Sequence, residues 1–234
     1  MTRIYSAGVG AILAAMLTTT AVIAASARGS SSLPPVSVPN LIVYALGDST
    51  VAGLGARSGS YAARIFSRLK EILPDSRLVN LAESGATTED LLRDQLPRVR
   101  PAAKTLVLVG IGVNDLTGGV APDVFGRRFD VLLTALQSRL RGPIVVSNLP
   151  DVSRARAVWP ALQSQLAARV DVYNAIVESV ARKHGVVVYD VCVMTRRTLP
   201  AHPEYLSGDG YHPSDAGYEA WADGLWPIVK RALQ

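Results

Sequence analysis

Five short apolar runs, each followed or separated by a stretch of helical periodicity, constrain this chain more than any other feature. Leu41–Leu46, Leu78–Leu81, Thr105–Ile111, Pro143–Ser147 and Val186–Tyr189 have strand length and near-continuous apolar character. Such runs suit strands covered on both faces, the habit of parallel sheets. Between them the spacing predicts helices. Tyr61–Leu73 puts Ala62, Ile65, Phe66, Leu69 and Ile72 on one face, and Pro74 ends it. Thr88 reads as an N-cap with Glu89 and Asp90 in the first turn. Phe125, Phe129, Leu132, Leu133, Leu136 and Leu140 mark another apolar face, and a long helix runs from about Ala161 to Lys183, stopped by Gly185. Ser214 or Asp215 caps a last helix carrying Tyr218, Trp221, Leu225, Val229 and Leu233. The fold class expected is α/β: a three-layer α/β/α sandwich with a five-stranded parallel sheet, flavodoxin-like.

The first 40 residues fall outside that pattern. Arg3 precedes an uncharged run from Ile4 to Ala25, and Ala25-Ser26-Ala27 offers a small-residue cleavage site. Residues 1–27 read as an export signal, which places the protein in the secreted or cell-envelope space. The alternative is a retained N-terminal anchor, and then membrane contact is through this segment only. Residues 28–40, rich in Ser and Pro, read as a tether or a frayed mature terminus. Residues 41–234 form the single expected domain.

Composition removes other classes. One cysteine, Cys192, excludes an internal disulfide and a thiolate zinc cluster, and three histidines leave little for a histidine metal site. The net charge of +5 comes from scattered basic residues, so nucleic acid is not an expected partner. No cofactor and no metal are expected. Nothing resembles a coiled-coil seam, and a monomer is expected.

In open parallel sheets, ligands bind beyond the carboxyl ends of the strands. Those ends read Gly47-Asp48-Ser49-Thr50, Ser84-Gly85-Ala86-Thr87-Thr88, Gly112-Val113-Asn114-Asp115, Asn148-Leu149-Pro150-Asp151 and, before the last helix, Asp209-Gly210-Tyr211-His212-Pro213. A serine hydroxyl needs an adjacent base. His212 is the candidate base, and Asp209, three residues earlier, is the candidate acceptor that orients it. Asp151 and Asp190 are rival acids, and Asp48 reads as a turn residue. Each of these short motifs has an ordinary reading as a cap, turn or loop; their joint order along the chain is what points to catalysis.

With Ser49 in G-D-S, Gly85 after the second strand, Asn114 in G-x-N-D and His212 in D-x-x-H, the chain from Leu41 onward resembles the SGNH (GDSL-type) hydrolase family. Thr50 stands where the family name has leucine, and Glu83 brings a charge beside the second motif. The resemblance implies a nucleophile at Ser49, a base at His212 oriented by Asp209, and an oxyanion hole from the N–H groups of Ser49 and Gly85 with the Asn114 amide. It implies a serine esterase of lipase type; the short connections, which leave no stretch for a lid, favour small or short- to medium-chain acyl esters, with lysophospholipids or thioesters as further substrates. An O-acetyl polysaccharide deacetylase or a non-catalytic carbohydrate- or lipid-binding relative is the alternative. A G-x-S-x-G elbow is absent, and the glycines after the first strand fail the dinucleotide fingerprint. His184 reads as a solvated helix-end residue, His202 as a loop residue near the pocket rim, and Cys192 as a small buried apolar one. Trp221 reads as core. Trp159 is a candidate for lining an acyl or sugar site.

Overall fold

The computed structural model describes residues 40–234, so the expected export segment (1–27) and nearly all of the tether (28–40) lie outside the described residues. Five parallel strands form one sheet: β1 (Ile42–Gly47), β2 (Arg77–Asn80), β3 (Thr105–Gly110), β4 (Ile144–Ser147) and β5 (Val187–Tyr189). Their order is β2-β1-β3-β4-β5. Among the described residues there are eight α-helical segments: α1 (Ser49–Ala52), α2 (Tyr61–Ile72), α3 (Thr88–Asp90), α4 (Val113–Thr117), α5 (Pro122–Arg139), α6 (Pro160–Lys183), α7 (Val191–Thr198) and α8 (Asp215–Ala232). A π-helical turn, Leu91–Gln95, continues α3.

Side chains alternate across a strand, and the two cores follow that alternation. Val43, Ala45, Leu106, Leu108 and Val145 meet α2 and α8 through Ile65, Leu69, Trp221 and Leu225. Tyr44, Leu46, Val107, Val109 and Val146 meet α5 and α6 through Phe125, Phe129, Leu133 and Tyr173. The central strands β1, β3 and β4 are therefore buried on both faces, which explains why they read as unbroken apolar runs, while the edge strands β2 and β5 are partly exposed. Because the order reverses between β1 and β3, a crevice opens at their carboxyl ends. The two strands finish in register there, Gly47 beside Gly110. A Cβ on Gly47, whose φ is +149°, would lie 1.9 Å from the Gly110 carbonyl oxygen, so only glycine fits immediately before the Asp48-Ser49 pair.

Several local expectations need correction. The cap of α3 is Thr87, which accepts from the Asp90 N–H while the Asp90 carboxylate accepts from the Thr87 N–H. Thr88 sits inside the helix because its hydroxyl is needed elsewhere, as described below. Ile72 is 61% exposed; α2 presents Tyr61, Ala62, Ile65 and Leu69 to the core instead. Strand β2 begins one residue early, at Arg77. Helix α7 has no counterpart in the expected elements. It is a single amphipathic piece packed directly after β5, too short for periodicity to declare.

Candidate active site

Ser49 opens α1 at the end of β1. Asp48 caps that helix: its Oδ1 accepts from the Thr50 N–H at 2.9 Å and the Thr50 hydroxyl at 2.8 Å. A threonine rather than leucine at position 50 thus gives the buried carboxylate an extra donor. Burial pushes the Asp48 carboxyl up to about 6, against the Thr50 hydrogen bonds that lower it. Asp48 is a cap and not a reacting group, as its turn-residue reading anticipates.

The segment 207–212 is organised around Asp209. Its Oδ1 accepts from the Ser207 hydroxyl, the Tyr211 N–H and the His212 N–H at 2.7, 2.8 and 3.0 Å. Its Oδ2 meets His212 Nδ1 at 2.6 Å. Burial works to raise the Asp209 carboxyl, but the hydrogen bonds from His212, Tyr211 and Ser207 outweigh it and hold the group well below the usual carboxylate range. An ionised carboxylate only accepts, so Nδ1 carries the proton and the Nε2 lone pair faces outward. Nε2 lies 3.1 Å from Ser49 Oγ. Asp209, His212 and Ser49 therefore lie along one continuous line of contacts.

Ser49, Gly85, Asn114 and His212 all line one cavity of about 260 Å³. Asn114 Nδ2 donates to the Ala86 carbonyl at 2.9 Å, which fixes the amide against the Gly85–Ala86 turn and leaves its second N–H available. Among the described residues no acceptor takes the N–H of Ser49 or of Gly85. The residues that bear these three donors and the Ser49 hydroxyl line the same cavity, an arrangement that suits a tetrahedral oxyanion. The rest of the cavity is mostly apolar, with Leu54, Val113, Val152, Met194 and Leu206 among its walls and the core residue Trp221 also reaching it; Asp151, Thr195 and Thr198 add polar groups.

The supporting contacts are mostly long-range, and the motifs do not announce them. Gln95, from the π-helical turn, accepts from the Gly47 N–H at 2.9 Å and donates to its carbonyl at 2.8 Å. Asp115, fully buried, accepts from both the N–H and hydroxyl of Thr88. That contact ties α4, which carries Asn114, to the helix following Gly85. Only its position directly after Asn114 hints at the role of Asp115.

The remaining candidates fall outside the relay. The Asp190 carboxylate accepts from the Asn148 amide and caps α7, and that of Asp151 is taken by Ser153 and Arg196. Neither rival acid is placed against His212. His184 is not solvated: Asp130 holds Nε2 and Gln137 meets Nδ1. His202 pairs with Glu204, stacks on Tyr205 and does not line the cavity. Trp159 is 77% exposed and borders a separate shallow depression with Leu162 and Arg169, so it does not line the acyl site. Cys192 is buried, and burial pushes its thiol up to about 11, consistent with an inert apolar role. Among the described residues no three His, Cys, Asp or Glu side chains gather as a cation site, and no helix is long and apolar enough to cross a membrane.

A model of the GDSL-like lipase/acylhydrolase family matches residues 45–220. The fold is similar to that of LAE5, an α/β hydrolase from the metagenome of Lake Arreo, with 25% identity, 82% of this chain and 96% of that chain covered, and a TM-score of 0.65. It is similar to Axe2, an acetylxylan esterase from Geobacillus stearothermophilus, with 20% identity, coverage of 80% and 93%, and a TM-score of 0.62. It is also similar to phospholipase A1 from Streptomyces albidoflavus NA297, with 20% identity, coverage of 82% and 98%, and a TM-score of 0.60. No curated protein sequence matches the chain.

Proposed function

The chain belongs to the GDSL-like lipase/acylhydrolase family, and on that premise we propose that it is a serine esterase cleaving short- to medium-chain acyl esters through an acyl-Ser49 intermediate. The observation that carries this reading is the Asp209–His212–Ser49 relay, at 2.6 and 3.1 Å, opening onto an apolar cavity.

In this mechanism Ser49 Oγ attacks the ester carbonyl carbon while its proton passes to His212 Nε2. Asp209 stabilises the resulting imidazolium and keeps its orientation. The carbonyl oxygen, now negative, is held by the N–H groups of Ser49 and Gly85 and the Asn114 amide. The bond to the alcohol oxygen breaks, His212 returns the proton to that oxygen, and the alcohol leaves. Water then attacks the acyl-serine with His212 as base, releasing the carboxylic acid and restoring Ser49.

The apolar walls favour acyl chains over the acetyl group of a polysaccharide. Trp159, the residue the sequence offered for lining an acyl or sugar site, stands exposed outside the cavity and favours neither. Export of the protein and its working as a monomer belong to the same proposal; export rests on the sequence of residues 1–27. Initial rates of the full chain and of Ser49→Ala on p-nitrophenyl esters from acetate to palmitate test the reading. Serine-dependent hydrolysis favouring chains longer than acetate supports it. Activity on acetate alone turns it toward a deacetylase, and a folded protein with no activity on any ester leaves a binding role.

A further inference from the structure

Asp151 is buried within the molecule, lines the cavity and takes no part in the relay. Its contacts explain its place. The Asp151 N–H donates to Thr195 Oγ1 at 2.9 Å, and its Oδ2 accepts from Arg196 Nε at 2.8 Å. Arg196 continues to Asp171 of α6 at 2.7 Å. One turn earlier, Asn148 reaches the first turn of α7, accepting from the Cys192 N–H at 3.1 Å and donating to Asp190 at 3.0 Å. Helix α7 is therefore latched to the β4 connection at successive points along its length. The same two segments both line the cavity: Pro150, Val152 and Ala155 from one, Met194, Thr198 and Leu199 from the other.

We propose that this cavity gauges the length of a single unbranched acyl chain of roughly six to ten carbons, and that the Asp151–Arg196 ion pair sets the limit by holding α7 in place. The inference deepens the esterase reading and rests on it for the identity of the ester. An apolar cavity of about 150 Å³ accommodates one benzene, so by proportion 260 Å³ takes about ten carbons. Asp151 is buried while Arg196 is about one-third exposed; losing the guanidinium leaves the buried carboxylate with Ser153 and the more distant Arg154, 3.6 Å away, removes a tie to α7, and the wall loosens. Arg196 acts on the substrate through α7, as a positioning residue.

Two readouts on the full chain test this. The first is calorimetric binding of straight-chain carboxylates from butyrate to palmitate to Ser49→Ala, which needs no turnover. Affinity is expected to rise by up to about fourfold per CH₂ to about the ten-carbon chain, then stop rising or fall. The second is the octanoate-to-palmitate ratio of kcat/KM on p-nitrophenyl esters, in the native chain and in Arg196→Gln and Arg196→Lys. Arg196→Gln is expected to lower the ratio about tenfold, the order of a single methylene's discrimination, and Arg196→Lys to restore part of it. Affinity that climbs steadily to palmitate, or a folded Arg196→Gln with the native ratio, overturns the gauge. Should Arg196→Gln not fold, Thr198→Phe replaces it, with the binding limit expected at shorter chains; an unmoved limit overturns the gauge. A clear binding limit without serine-dependent hydrolysis upholds the gauge and sinks the esterase, so the two failures are distinguishable.

Discussion

The two halves of the candidate active site are built in contrasting ways. The half that carries Asp209 and His212 is a partly exposed segment whose carboxylate is held by contacts spanning two or three residues, collecting Ser207, Tyr211 and His212, with Arg156 and Ala157 adding two long-range bonds to the Ser207 and Gly210 carbonyls. The half that carries Ser49, Gly85 and Asn114 sits on strand ends and is held from afar. Gln95 clamps Gly47 across 48 residues, and Asp115 holds Thr88 across 27. A local device keeps its geometry even when the surroundings loosen, whereas a long-range one depends on the core. Variants of the first half should cost activity with little stability, and variants in the support of the second should cost stability.

The largest effect is expected at the reacting atoms. Ser49→Ala or His212→Ala should lower turnover by roughly 10⁶-fold with an unchanged unfolding midpoint, measured by ester hydrolysis and urea titration. Asp209→Asn should follow at about 10⁴-fold, with a modest loss of stability at neutral pH, because an amide oxygen can still accept from the segment's N–H groups but the charge they favour is gone. A large loss of stability in Asp209→Asn would break the comparison from the loop side. Asn114→Ala should lower kcat by about 10²–10³-fold with KM little altered; near-native turnover would make it a positioning residue for the Gly85–Ala86 turn only.

The buried support is probed through stability. The Asp48 carboxyl is raised in the folded protein, so the native state binds the extra proton and stability falls as pH climbs from the ordinary aspartate range through about 6. Asp48→Asn should abolish that fall, worth up to about 3 kcal/mol, in urea titrations at pH 4, 5.5 and 7.5. A variant with the native pH dependence would assign the fall to another group. Asp209 has the opposite sign: its contribution is present at neutral pH and lost as pH drops. Gln95→Ala should cost about 1–3 kcal/mol by stripping the Gly47 N–H of its acceptor, with activity reduced only as far as folding is. An unchanged midpoint there would mean the strand end holds itself.

This contrast also explains what could be read from the sequence. The parallel sheet was legible because strands buried on both faces must be apolar throughout, as Leu106–Val109 are. The relay was legible because Asp209 and His212 meet within three residues, and Ser49, Gly85 and Asn114 each follow a strand in a recognisable motif. Pairings such as Gln95 with Gly47 or Asp151 with Arg196 leave no local trace, since partners far apart in sequence carry no shared spacing. Helix α7 went unseen for a related reason: its eight residues make two turns, and its place is fixed by Asn148 and Asp151 rather than by its own pattern. The cap of α3 was misplaced by one residue because Thr87 and Thr88 are equivalent as caps; only the buried Asp115 carboxylate separates them.

The claim on which the rest depends is that Ser49 is the nucleophile, activated by His212. Reaction of the full chain with a p-nitrophenyl alkylphosphonate, followed by peptide mass mapping, tests it directly. The account predicts one phosphonyl group on Ser49, no adduct in Ser49→Ala, and much slower labelling in His212→Ala. Ester hydrolysis that persists in Ser49→Ala, or a label on any other residue, would contradict it.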